Sequence, residues 1–212
     1  MVDLGILLAF IPAAVLIVIT PGPDTVYNLT ESLREGSTAG MFAALGTATG
    51  ILVHTAAAVL GLATLLRTSA TAYQLVKYIG AAYLVYLGVQ TLRNDEEFDI
   101  ETTLGGDDRS YVESYKEAAA INISNPKVAM FVLAFFPQFI PSSANATVLM
   151  SILGVAYAVV SIVYFAGVAL LADRVRSLLV DSDLTQRAIQ YGSGSVLLGF
   201  GLKLALEKRP TT

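Results

Sequence analysis

"ITPGPDTVYN", Ile19 to Asn28, decides how the chain is read. A long apolar run stops at Pro21-Gly22-Pro23, and an acid, Asp24, follows at once. Proline removes a backbone donor and clashes with the preceding helical turn, and glycine relaxes the chain. The stretch is a helix break at the inner end of a segment apolar enough to enter a membrane. Composition points the same way. Of 212 residues, 55% are hydrophobic and 14% are charged, against about 25% charged in an ordinary soluble domain. A chain of this length cannot hide that much apolar surface in a core of its own.

A bilayer core needs about 20 mostly apolar residues per helix. Six runs qualify: Leu4 to Ile19, continuing past the break into Leu29; Met41 to Leu66; Tyr73 to Leu92; Ala118 to Ile140; Val148 to Ala172; and a shorter one, Tyr191 to Leu206, that extends back to Ala188 at most. They are too long for strands and lack period-two alternation. Backbone groups in lipid must be satisfied within the segment, so helices are expected. The N-terminus lacks a basic region and a clear small-residue cleavage site, so it reads as a retained span rather than a signal peptide. Acids crowd the polar stretch from Arg93 to Lys116, which reads as a solvated linker. It divides residues 1–92 from residues 117–212, with three spans on each side. Placing both termini outside puts Arg34, Arg93, Arg109, Lys116, Arg174, Arg176 and Arg187 inside, and leaves Arg67, Lys208 and Arg209 outside. That is the orientation the positive-inside rule favours.

The fourth run carries a second break, "SNPK", Ser124 to Lys127. Three spans per half is an odd number, so the second half enters the membrane inverted. Broken segments in matching positions of two halves point to a transporter binding site. A break frees backbone groups that are tolerated only inside protein or beside water. Half-helix N-termini carry partial positive charge and suit a carboxylate. The expected substrate site is Pro21, Gly22, Pro23, Asp24, Asn28, Asn125, Pro126 and Lys127. The plainer alternative is that each proline marks a surface turn where a helix starts.

Two roles are open for Asp24: an intramembrane acid at a site, or a first-turn acid favoured by the helix dipole. They can coexist. His54, the single histidine, is a proton-coupling candidate beside Asp24, or a neutral ring bonded to a carbonyl. Lys127 holds a substrate carboxylate, pairs with Asp24, or snorkels to the interface. Lys77 reads as a snorkelling residue, and Gln138 as a pathway or interface residue. Gly36, Gly40, Gly46 and Gly50, and likewise Gly192, Gly194, Gly199 and Gly201, read as packing positions. They permit a homodimer without requiring one.

Several function classes drop out. There is no cysteine, so no disulfide or thiolate metal site. Net charge is −4 and no basic patch occurs, so nucleic acid is not an expected partner. One histidine makes a metal site unexpected, and no GxxxxGK[ST] pattern implies ATP hydrolysis. No cofactor is expected, and an intramembrane enzyme lacks acid or histidine pairs to work with.

The motifs together resemble the lysine exporter family of amino-acid efflux proteins, the LysE/RhtB group. "TPGPDTVYNL" looks like its first-span signature. "GSTAGMFAALGTATGILVHTAAAVLGLATLL" resembles its second span, "VKYIGAAYLVYLGVQTL" its third and "INISNPKVAMFVLAFFPQF" its fourth. The resemblance covers almost the whole chain and is weakest in the linker and last two spans. It implies six helices, an inverted repeat, and export of amino acids or their derivatives driven by the proton gradient. One departure matters: many members carry asparagine where Asp24 stands, and some carry an aspartate in the second span, where Ile51 follows Gly50 here. A second-span proton relay is therefore not carried over. The overall expectation is an all-α, multi-pass plasma-membrane protein of six transmembrane helices. It would export homoserine, threonine or a basic amino acid in exchange for protons, within the lipid bilayer. A metal or inorganic-ion exporter of the same superfamily is the alternative.

Overall fold

In the computed structural model, residues 4–68, 70–93, 110–141, 145–172, 174–175 and 183–206 are described. The first apolar run forms α1, Leu4–Ile19, and stops at the break. The chain bends by 63° and restarts as α2, Pro23–Arg34. Pro23 sits at the first helical position, where its missing N–H is no loss. Gly22, before it, is extended. Gly36, with φ +87°, turns the chain from α2 into α3, Ser37–Thr68. α4 follows as Ala70–Arg93.

The second half opens earlier than the composition suggests. α5 spans Tyr111–Ile123 and so begins inside the stretch read as linker. Ser110 and Glu113 form a reciprocal capping box there, which satisfies two end amides. The acidic run before it, with Arg109, Arg176, Lys208 and Arg209 of the charge comparison, lies outside the described residues. After α5 the chain bends by 54° and restarts as α6, Pro126–Met130. α6 widens into a π turn over Phe131–Phe135 and closes in a 3-10 turn over Phe136–Phe139. Pro137 supplies no amide for the carbonyl four residues back, so a regular helix cannot continue through it. α7 is Ala146–Leu170, capped by Asn145, and α8 is Asp183–Leu206. No strand occurs among the described residues.

α3 lies against α2, α5 and α7, and α4 pairs with α8. Glycines set these approaches. A Cβ on Gly46 would collide with the Tyr115 carbonyl, and one on Gly50 with the Asn122 side chain, so α3 and α5 run parallel. Gly40 abuts Ala169 while Gly154 abuts Thr55, so α3 and α7 run antiparallel. Gly194 and Gly201 pack on Leu92 and Val85 of α4, also antiparallel, whereas Gly192 and Gly199 face open space. The packing expectation thus holds for two of the four late glycines.

An aromatic cluster joins the two broken runs. Phe10 of α1 meets Phe136 and Phe139 edge-on at 5.3 Å, and Phe131 meets Tyr157 of α7 at 5.1 Å. Such pairs contribute about 0.5–1.5 kcal/mol each beyond their burial. The outside is apolar, with Leu60 78% and Val163 68% exposed, a surface suited to lipid. By length and apolarity, Ser37–Gly61 and Ala146–Leu170 are candidate membrane spans, and each bent pair passes as one more, two to four among the described residues. α4 and α8 have 24 residues each, which is length enough to cross at 1.5 Å per residue.

Candidate functional site

The two breaks meet. Asp24 lies in the first turn of α2, where the helix dipole favours an acid, and is 5% exposed. Asn122 Nδ2, near the end of α5, donates to its Oδ1 at 3.1 Å. Asn125 Nδ2, at the second break, donates to its Oδ2 at 2.7 Å. The first-turn position and the buried, cross-linked position are the same position. Asn125 works at both ends: its Oδ1 accepts the Lys127 amide at 3.0 Å and caps α6. Pro126 follows at the first helical position.

Lys127 reaches back the other way. Its Nζ donates to the Thr20 carbonyl at 2.8 Å, and the residue is 8% exposed. That carbonyl lies just past α1, at the end of a helix, where a cation is favoured. So Lys127 neither snorkels nor donates to Asp24. Each break receives side chains from the other half of the chain. Pro21, Gly22 and Pro23 shape the opening: a Cβ on Gly22 would lie 2.9 Å from Lys127 Nζ. Asn28, one turn past Asp24, donates to the Asp24 carbonyl at 2.8 Å and to Thr47 Oγ1 of α3 at 3.0 Å. All eight expected positions therefore lie at, or one turn from, the junction.

His54 stands one residue away from the carboxylate. Its Nε2 is 3.1 Å from the Asn122 carbonyl, so Asn122 links the ring on its backbone side to Asp24 on its amide side. Gln138 donates to the Ala134 carbonyl within its own turn. Lys77 is buried, with its ammonium 5.0 Å from the Tyr78 ring centre, which corrects the snorkelling expectation.

Sequence reasoning missed Thr20, Asn122, Thr47 and Glu31. The signal for Asn122 was its spacing, three residues before Asn125 and so on the same helical side. Three buried oxygens beside Asp24, namely Asn28 Oδ1, Asn122 Oδ1 and Thr25 Oγ1, have no hydrogen-bond partner among the described residues. Buried acceptors are rarely left unmatched, and a ligand with N–H donors would satisfy them. Charge of both signs, orphaned acceptors and two helix N-termini thus converge on one buried point.

Comparison with known proteins identifies the family. The family model described as LysE type translocator matches residues 15–208. The uncharacterised membrane protein YrhP of Bacillus subtilis is 32% identical, with 95% of this chain and 99% of that protein covered. A homoserine/homoserine lactone efflux protein of Salmonella typhimurium is 31% identical, over 93% of this chain and 94% of its own. An uncharacterised membrane protein of Vibrio cholerae is 32% identical over 97% of this chain and 99% of its own. No solved structure matches. With paired helix breaks at its centre and a match running over nearly its whole length, the chain belongs to the LysE type translocator family.

Proposed function

We propose that this protein exports a small zwitterion, an amino acid or derivative of the homoserine type, across the plasma membrane in exchange for protons. The observation that carries the reading is the meeting of two broken helices around one buried carboxylate and one buried ammonium. A substrate ammonium would bind Asp24, with Asn28 Oδ1 and Asn122 Oδ1 accepting its remaining N–H groups. A substrate carboxylate would face Lys127 and the N-termini of α2 and α6. Asp24 would carry the counter-transported proton. Proton and substrate ammonium compete for the same oxygens, so each occupancy excludes the other. Mutual exclusion on one site that opens alternately to the two sides is what obligate exchange requires.

The architecture proposed is six spans in two inverted halves: α1–α2, α3 and α4 against α5–α6, α7 and α8. The antiparallel pairing of α3 with α7 and of α4 with α8 supports it, since a two-fold axis in the membrane plane relates such partners. The family assignment and the name of the Salmonella relative support the substrate class. The ion-exporter alternative has no observation in its favour: no three His, Asp or Glu side chains gather as a metal site among the described residues.

The test is flux of labelled homoserine, threonine and lysine in proteoliposomes under an imposed pH gradient, wild type beside Asp24→Asn. Gradient-driven flux of one of them, abolished in the variant, is the expected result. Flux of a divalent metal and of no amino acid would instead establish the ion exporter.

A further inference from the structure

We infer that Glu31 carries a proton in the transport cycle, at a position separate from Asp24. The inference rests on the proton-exchange reading above. α2 turns Asp24, Asn28, Glu31 and Ser32 into the protein, and all four are buried. Their spacing of three and four residues keeps them on one helical face. Glu31 sits two turns beyond Asp24, about 10 Å along the axis at 1.5 Å per residue.

Glu31 is 3% exposed, and its Oε1 accepts from Ser114 Oγ of α5 at 2.6 Å. Among the described residues no cation pairs with it. A buried carboxylate ordinarily needs a paired charge or several donors. One neutral hydroxyl is a partner that serves the charged and the protonated carboxyl alike. Ser114 can donate to the first and accept from the second.

The surroundings connect Glu31 outward. Tyr27 Oη has one O–H to share between the Ser114 carbonyl at 3.4 Å and Glu117 Oε2 at 3.2 Å, and Glu117 is exposed. On the inner side, Ser32 Oγ donates to the Asn28 carbonyl, and Asn28 Nδ2 donates to the Asp24 backbone carbonyl and to Thr47 Oγ1, which lines the space between the two carboxyls with polar groups. Glu31 therefore lies between the buried carboxylate and an exposed one, at the face where α2 ends and α5 begins. Among the described residues, the titratable groups on the elements packed against it are Tyr111, Glu113, Tyr115, Lys116 and Glu117 of α5, His54 and Arg67 of α3, Tyr157 and Tyr164 of α7, and Tyr27 and Arg34 of α2 itself, with Glu35 at its C-cap one turn on. The step is a plain proton transfer through water. The Asp24 carboxyl gives its proton to water in the opened site when a substrate ammonium takes its place, and the Glu31 carboxylate takes up a proton from that water and releases it to water beyond Glu117.

Two measurements on the full chain in lipid test this. The first is infrared difference spectroscopy between acidic and alkaline buffer. The protonated-carboxyl band of wild type is expected to contain one component that is missing in Glu31→Gln, displaced in Glu31→Asp and displaced again in Ser114→Ala. A Glu31→Gln spectrum identical to wild type overturns the proposal. The Asp and Ala variants keep it testable should Glu31→Gln not fold. The second is homoserine flux. pH-gradient-driven flux falls more than substrate exchange in Glu31→Gln, and an equal fall in both points to a structural role and overturns it. If wild type moves no homoserine, the export reading fails on its own, while the infrared band still decides whether Glu31 exchanges a proton.

Discussion

Asn125→Ala removes two bonds that one side chain makes. Its Oδ1 caps α6 through the Lys127 amide at 3.0 Å, and its Nδ2 binds Asp24 at 2.7 Å. Loss of an N-cap costs about 1 kcal/mol. Loss of a buried hydrogen bond to a charged group costs about 1.5–3 kcal/mol. Interhelical hydrogen bonds in membranes average only about 0.6 kcal/mol, but this one ends on a carboxylate, so the larger class applies. The expected destabilisation is about 2.5–4 kcal/mol. Asn125→Ser keeps an oxygen for the cap and loses only the Asp24 bond, so it falls between wild type and Asn125→Ala. The assay is reversible unfolding in mixed micelles followed by far-ultraviolet circular dichroism, since the chain has no tryptophan. If Asn125→Ala lies within about 0.5 kcal/mol of wild type, the range of an unremarkable surface change, the central junction does not hold the halves together. If Asn125→Ser is as damaging as Asn125→Ala, the cap is not separable from the cross-link and the sum above is wrong.

Gly50→Leu drives a side chain into the Asn122 amide and lowers stability by about 1–3 kcal/mol, whereas Gly61→Ala, with open space around it, is neutral or slightly stabilising; thermal melts of the two variants in one detergent give the order. Gly22→Ala is compatible with the extended backbone there, but its Cβ, 2.9 Å from Lys127 Nζ, displaces the ammonium. The KM for the transported amino acid rises while the melting temperature holds, and the reverse pattern would assign Gly22 to folding alone. His54→Gln keeps a donor for the Asn122 carbonyl and retains pH-gradient-driven flux, while His54→Ala loses about 1 kcal/mol of stability. Loss of coupling in the glutamine variant would move the proton from Asp24 to His54.

The breaks were legible because proline and glycine act on their own neighbours. Pro21-Gly22-Pro23 and Asn125-Pro126 interrupt helices in any context, and both interruptions fall where the sequence places them. The contacts that make a site of the breaks were not legible. Asn122 and Asp24 are joined across 98 residues of chain, and no local rule pairs one asparagine with one acid. Helix α5 hid for a different reason: its Ser110–Glu113 capping box sits in a run of acids whose composition argues for a solvated linker. The same mixture masked Ser114, the buried partner of Glu31. Glu31 itself carried a readable sign, seven residues from Asp24 on one helix, but that spacing alone does not separate a buried acid from a solvated one beside Arg34. Lys77 misled in the same manner, because a lysine near a span end usually reaches for water.

The amides around Asp24 have different freedom to respond to a proton. An ionised Asp24 offers only acceptors, and Asn122 and Asn125 both present N–H groups to it. A proton on the carboxyl replaces one acceptor with a donor, and an amide meets it by turning its oxygen inward. Asn125 cannot, because its oxygen is already committed to the Lys127 amide. Asn122 can, because its Oδ1 has no partner to lose. Rotation of one amide would thus record the charge of the carboxylate at no net loss of hydrogen bonds. Asn122 packs on Gly50 of α3 and its carbonyl meets His54, so the movement of a single proton would be transmitted to α3 as a change of contact rather than of charge.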